Sequence, residues 1–353
     1  MSERFLVIRL GSMGDIVHAL PAVAALRARF PAAAIDWLVE ERWRELVELN
    51  PHITDCISVD TRALRRHPVR EFPGFLRALA ALRRKRYDCV VDFQGLYKSA
   101  VLAWLTGTPR RLGFHERALR EPGSAFFYTE QVLPPAAVHV IESNLALVAR
   151  LGVDARGLLA FVLPTLAEEE SYVEDELRRR RVEAFFVLSP GGGWRGKCWP
   201  VARYAELHDA LVEARGWRGV INVGPGEEDL AEELVRRTRA GSPLWFRLSP
   251  RHYVALARQA QVVISGDTGP LHVAAAVGTP VVGLYGPTDP GRTGPFGPRV
   301  AVVSHPGISP VSYRRTRTVS PAMLAIRVEE VVAAVERLAS PRASAPQPAD
   351  IRA

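Results

Sequence analysis

Arg4-Phe-Leu-Val-Ile-Arg9-Leu10-Gly11-Ser12-Met13-Gly14-Asp15-Ile16 opens on a short apolar run, turns through two glycines and enters a stretch with another period. Phe5–Leu10 reads as a strand, and Ile16, Leu20, Val23 and Leu26 then recur at helical spacing. Strand, loop and helix make the first half of a βαβ unit, and the alternation continues. Further apolar runs lie at Ile35–Val39, Ile57–Val59, Cys89–Phe93 and Arg111–Gly113. A second series follows at Phe185–Leu188, Val220–Val223, Leu244–Phe246, Val262–Ser265 and Pro280–Tyr285. Short strands separated by longer helical segments imply an α/β fold with parallel sheets. Two series imply two doubly wound domains, expected at 1–166 and 167–339. The helix His139–Leu151 closes the first and the acidic stretch at Glu168-Glu169-Glu170 opens the second. The tail 340–353, rich in Pro, Ala and Ser, is expected to be disordered. No internal sequence repeat is visible.

Composition agrees with two domains: 353 residues, 48% hydrophobic and 24% charged. Cys56, Cys89 and Cys198 form no CxxC pair and no zinc set. The chain runs straight into a strand with no signal sequence, so a reducing, cytoplasmic setting is expected. The longest uncharged stretch, Thr268–Thr288, is broken by three prolines and four glycines and is no transmembrane helix. The net charge is +8. Arginine supplies nearly all the positive charge, since only Lys85, Lys98 and Lys197 are lysines, and most arginines read as solvated surface. Asp60–Arg86, however, holds nine basic and two acidic residues, which suits phosphate, an acidic sugar or an anionic membrane face. Within it Phe72, Phe75, Leu76, Leu79 and Leu82 mark an apolar helical face. A crossover helix covering a sheet is the plainer reading, and a membrane-surface helix is the alternative.

In open α/β sheets ligands gather where strands end and helices begin. Gly11–Asp15 is the first such loop; Asp15 either caps its helix or serves a site. The second, Ser189–Pro200, contains Gly191-Gly192-Gly193 and Lys197 in a GxxxxGK pattern, but Cys198 stands where a P-loop needs Ser or Thr for magnesium. Pro200 also delays the helix past the lysine. Glycines plus one cation still suit phosphate. The third, Gly224-Pro-Gly226-Glu227-Glu228, offers a carboxylate for ribose hydroxyls or for capping. The fourth, Ser265-Gly266-Asp267-Thr268-Gly269-Pro270-Leu271-His272, ends a strand in small residues, starts a helix at Pro270 and sets His272 one turn inside. Tyr285-Gly-Pro-Thr-Asp289-Pro forms another strand-end loop beside it.

Four segments in order, Arg9–Ile16, Asp92-Phe-Gln94-Gly95-Leu-Tyr-Lys98-Ser99, Gly269–Ala275 and Tyr285–Pro290, resemble the ADP-heptose:lipopolysaccharide heptosyltransferases of glycosyltransferase family 9. The similarity spans roughly residues 4–338, and Arg120-Glu-Pro122 adds to a likeness to the heptosyltransferase I branch. The resemblance implies a GT-B fold, two Rossmann-like domains facing across a cleft. It implies inverting, metal-independent transfer of heptose from ADP-L-glycero-D-manno-heptose to a Kdo hydroxyl of Kdo2-lipid A, with no cofactor. The absence of a DxD motif agrees. Asp15 matches the general base. An ordinary aspartate is a weak base, so it must act late or have its pKa raised by the cleft. Gly192, Gly193, Lys197, Thr268 and Gly269 match the diphosphate site, Glu227 the ribose contact and Leu248 the adenine contact. Asp267 and His272 match residues touching heptose or phosphate. Arg62, Gln94, Lys98 and Arg120 are the implied ligands of the acceptor's carboxylates and phosphates.

Departures stand beside this likeness. Gly192 and Gly193 replace hydroxyl residues, leaving only backbone contacts there, and Arg9 replaces the usual lysine. The segment Ile308–Ser320 is weakly recognisable. Other readings are a family 9 enzyme using another nucleotide-heptose or a later core acceptor, a P-loop-like NTPase, and a non-catalytic binder of acidic glycolipid or nucleic acid. The expected partners are ADP-heptose, Kdo-lipid A and the inner face of the cytoplasmic membrane, held peripherally by charge, without nucleic acid.

Overall fold

The computed structural model describes residues 3–48, 50–154 and 160–339; the tail expected at 340–353 lies outside the described residues. Six parallel strands form the N-terminal sheet: β1 (Arg4–Ile8), β2 (Ala34–Glu40), β3 (Asp55–Val59), β4 (Cys89–Asp92), β5 (Arg110–Phe114) and β6 (Glu130–Val132). Six more form the C-terminal sheet: β7 (Phe185–Ser189), β8 (Arg218–Asn222), β9 (Leu244–Phe246), β10 (Val262–Gly266), β11 (Val281–Tyr285) and β12 (Val300–Ser304). Their orders are β3-β2-β1-β4-β5-β6 and β12-β11-β10-β7-β8-β9, one doubly wound topology used twice. All ten expected strands form. The two unforeseen ones, β6 and β12, are edges. β6 is three residues long and polar, and β12 leaves Val302 more than a third exposed. Half-solvated edges lack the continuous apolar run that marks a strand buried on both faces.

In each sheet the winding reverses between the two central strands, β1 and β4 or β7 and β10. Loops leaving these strands are pushed apart there and open a crevice at the carboxyl ends. The reversal therefore places Gly11–Asp15, Asp92–Ser99, Ser189–Pro200 and Gly266–His272 along two crevices.

The helix Met13–Arg29 buries twelve residues, because its apolar positions face both β1 and the second domain. It packs against the helix Gly269–Ala276. Side-chain-free positions permit this approach: a Cβ on Gly14 would lie 2.5 Å from the His272 ring, and one on Gly269 would lie 2.6 Å from Met13. Polar contacts add to the seam, with the Arg251 guanidinium donating to Glu45 O and Glu48 Oε2, and His139 Nε2 donating to Gly294 O.

The helix Pro68–Arg84 behaves differently. It follows β3 in the crossover towards β4, yet Leu82 is its only buried residue, with Phe75 and Ala78 partly covered. Val69, Phe72 and Leu76 stand 89%, 52% and 46% exposed. The covering role expected from its periodicity belongs only to its last turns. No helix among the described residues is long and apolar enough to cross a membrane.

Candidate active site

A cavity of about 540 Å³ lies between the two domains, where the switch-point loops face each other. Ser12, Gly14, Asp15, His18 and Arg120 line it from the N-terminal side, and Trp194, Lys197, Asp267, Thr268, Gly269, His272, Thr293, Tyr313, Arg314 and Arg315 from the other.

Asp15 sits in the first turn of its helix. Its Oδ2 accepts from Ser12 N at 2.8 Å and Ser12 Oγ at 3.0 Å, and its Oδ1 lies 2.6 Å from Arg9 Nη2. The capping geometry and the cavity position are thus both real. Arg9 is almost fully buried and also donates to Phe93 O, so the cation is fixed from behind while the carboxylate keeps 36% of its side chain exposed. Burial pushes the Asp15 carboxyl up, but the Arg9 charge and the Ser12 hydrogen bonds outweigh it and leave the group below its ordinary value. Of the two routes by which Asp15 was expected to act as a base, a raised pKa is therefore not the one the structure takes.

On the C-terminal side Lys197 Nζ lies 2.5 Å from Asp267 Oδ2 and donates to Asp267 O at 3.0 Å. His272 Nε2 is 3.3 Å from Asp267 Oδ1, and Tyr285 OH donates to the same oxygen at 3.4 Å. Burial again raises the carboxyl, yet His272 and Lys197 hold Asp267 far below the usual carboxylate range. Thr268 begins the next helix in extended conformation, and its hydroxyl pairs with Ser265 Oγ at 2.8 Å rather than capping.

His18 joins the two sides. Its ring centroid is 4.4 Å from that of His272 and 5.3 Å from that of His139. Both of its ring nitrogens, and Nδ1 of His272, are buried without a hydrogen-bond partner. Burial and the neighbouring imidazoles hold the His18 pKa well below its ordinary value, so the ring is neutral.

Other expected residues stand apart from the cavity. The Glu227 carboxylate accepts from Gly224 N at 2.9 Å and from Gly192 N at 3.2 Å, stapling the second loop to the third. Gly193 is exposed with open space around it. Leu248 lines a separate apolar depression with Tyr172, Phe246 and Leu256. Gln94 Oε1 accepts from Leu10 N at 3.0 Å, Lys98 Nζ lies 3.3 Å from Glu40 Oε1, and Arg62 lies at the start of the helix Thr61–Arg66.

Sequence reading passed over His18, Trp194, Thr293, Tyr313, Arg314 and Arg315 as cavity residues. His18 carried a usable signal, because it stands three residues after Asp15 and shares its helix face. Trp194 lies inside the glycine-rich loop. Tyr313–Arg315 carried none, since Ile308–Ser320 has no periodicity and no glycine motif.

Known proteins resemble this chain in sequence and in fold. Residues 75–320 match the family described as Glycosyltransferase family 9 (heptosyltransferase). Lipopolysaccharide heptosyltransferase 1 of Pseudomonas aeruginosa is 30% identical over 300 residues, covering 83% of this chain and 81% of that protein. The protein of that name from Escherichia coli K12 is 29% identical over 311 residues, covering 86% and 94%. The structure of the E. coli heptosyltransferase WaaC with ADP superposes with a TM-score of 0.73 at 25% identity, covering 95% of this chain and 99% of that one. The chain belongs to glycosyltransferase family 9, the heptosyltransferases, and has their GT-B architecture.

Proposed function

We propose that this enzyme transfers heptose from ADP-L-glycero-D-manno-heptose to a Kdo hydroxyl of Kdo2-lipid A, with inversion and without a metal, during lipopolysaccharide core synthesis. The observation that carries the reading is a partly exposed, ionised Asp15 facing, across one cavity, the cation-bearing loops of the opposite domain. Its support among relatives is the pair of curated names and a solved relative that binds ADP.

In this mechanism the acceptor hydroxyl enters beside Asp15. The attacking oxygen forms its bond to the anomeric carbon from the face opposite the diphosphate. The bond from that carbon to the departing oxygen breaks with both electrons going to ADP, and the hydroxyl proton passes to an Asp15 oxygen. Because Asp15 is held below the ordinary aspartate pKa, transfer comes late, once bond formation has made the hydroxyl acidic. Lys197 and the helix start at Thr268-Gly269 bear on the diphosphate, with Asp267 and His272 towards the sugar. Glu227 and Leu248 serve the nucleoside through ribose and adenine, and Gly192 and Gly193 shape the loop below. Arg62, Gln94, Lys98 and Arg120 receive the acidic acceptor.

The acceptor is a lipid, and the exposed apolar residues Val69, Phe72 and Leu76, flanked by Arg65, Arg66, Arg70 and Arg77, suit peripheral contact with the anionic inner membrane face. The enzyme would then work from the cytoplasmic side.

Product analysis with this donor and acceptor in EDTA tests the reading. Heptosylated lipid together with ADP is expected. No product from folded enzyme would move the substrate to another nucleotide sugar or a later core acceptor, and rescue by magnesium would remove the metal-independent mechanism.

A further inference from the structure

The positive charge lining the cavity is unevenly committed. Two lining carboxylates, Asp15 and Asp267, are matched by Arg9 and Lys197 at 2.6 and 2.5 Å. Lys197 is held twice, since it also donates to Asp267 O. Three more lining cations, Arg120, Arg314 and Arg315, have no ion-pair partner among the described residues.

Arg314 and Arg315 belong to the strap Ile308–Ser320, which has no regular structure but is fastened at several points. Ser312 N donates to Pro287 O at 2.7 Å, in the loop after β11. The Tyr313 ring lies under the Arg292 guanidinium, 5.3 Å from ring centroid to carbon. Thr316 Oγ1 occupies the space a Cβ on Gly196 would take, and Ser320 N donates to Gly196 O at 3.4 Å. The strap therefore rests on the glycine-rich loop next to Lys197 and brings two exposed arginines without an ion-pair partner to the cavity wall on the C-terminal side.

We propose that Arg314 and Arg315 bind the diphosphate of the nucleotide-sugar donor and take up the charge it gains on leaving. Lys197, already paired with Asp267, meets the same diphosphate. The inference rests on the donor reading above and adds the group that meets the diphosphate. As the bond between the anomeric carbon and oxygen breaks, both electrons stay on the terminal phosphate oxygen, and the diphosphate gains one negative charge. A guanidinium donates two parallel N–H bonds to such oxygens and needs no proton transfer to do so. An ammonium already paired with a buried carboxylate offers less, because binding there must compete with Asp267.

The test is ADP and adenosine affinity, by calorimetry, for wild type and for the Arg314→Ala/Arg315→Ala double variant. Both side chains are exposed, so unchanged circular dichroism and melting are expected. ADP should weaken about tenfold or more while adenosine stays within about twofold, and Arg314→Lys/Arg315→Lys should recover part of the loss. Unchanged ADP affinity, or equal weakening of ADP and adenosine, overturns the proposal. So does a loss confined to the acceptor KM, which would assign the arginines to acceptor acids. Wild type that binds no ADP would instead remove the donor reading. Inorganic pyrophosphate, titrated against the same two proteins, then decides the strap: binding by wild type that the double variant loses supports it, and its absence in wild type or equal binding by both overturns it.

Discussion

Asp15 and Asp267 stand at switch-point loops of the two sheets, each within 2.6 Å of a cation, and yet they are prepared for different work. Asp15 has one cation behind it, one serine beside it and an open face, with 36% of its side chain exposed. Asp267 is enclosed: Lys197, His272 and Tyr285 surround a carboxylate whose side chain is 9% exposed. An ion pair alone does not mark a catalytic group. What differs is whether an oxygen remains accessible, because a carboxylate whose lone pairs all face fixed donors has none for a substrate proton.

The sharpest way to break this contrast is to neutralise each carboxylate in turn. Asp15→Asn keeps an acceptor for Ser12 but removes the proposed base, so kcat should fall about 10²–10⁴-fold. ADP affinity should stay within a few-fold, and stability should drop only about 1–2 kcal/mol as the cap and the Arg9 pairing weaken. Unfolding of this variant, seen by denaturant titration, would make Asp15 a structural residue instead.

Asp267→Asn should show the reverse emphasis. It strands the Lys197 ammonium, whose side chain is only 13% exposed, and an uncompensated buried charge costs about 3–5 kcal/mol. Chemical denaturation reads this directly. Wild-type stability in Asp267→Asn would show that Lys197 is already solvated or free for ligand, erasing the contrast.

The smallest effects are in pH. A base with a lowered pKa stays ionised until the medium falls below the ordinary aspartate value of about 3.9, so Asp15 should contribute no acid limb to kcat/KM near neutrality. His18 works in the other sense, through stability. Its folded-state pKa lies well below that of the unfolded chain, so the unfolded chain takes the proton first. Stability is then complete above about pH 6.5 and declines as pH falls below it. His18→Phe removes two unpartnered nitrogens and should shrink the melting-temperature loss between about pH 7.5 and 5.5. An unaltered loss would transfer the effect to His139, whose pKa burial also lowers.

Much of this was legible in the chain itself. The runs at Phe5–Leu10, Phe185–Leu188 and Val262–Ser265 announce buried parallel strands without any partner, and the glycines after them announce crevice loops. The loops that carry Asp15, Lys197, Asp267 and His272 could be picked out because turn chemistry and helix starts are properties of adjacent residues, whereas the roles expected of these side chains came from the resemblance. The edge strands β6 and β12 could not, since half-solvated strands need no distinctive pattern.

What the tertiary structure alone decided is convergence. Arg9 lies six residues from Asp15, but only the turn between them aims its guanidinium at that carboxylate. Glu227 reaches Gly192 because two separate loops end side by side, and His18 meets His272 across 254 positions of chain. Tyr313-Arg314-Arg315 show nothing in sequence and still line the cavity, because the strap is placed by Pro287 and Gly196 rather than by its own periodicity. Local pattern follows from steric and apolar preferences of neighbouring residues. The charge balance of a site depends on which distant segments the packing brings within a few ångströms, and that is written only in the folded chain.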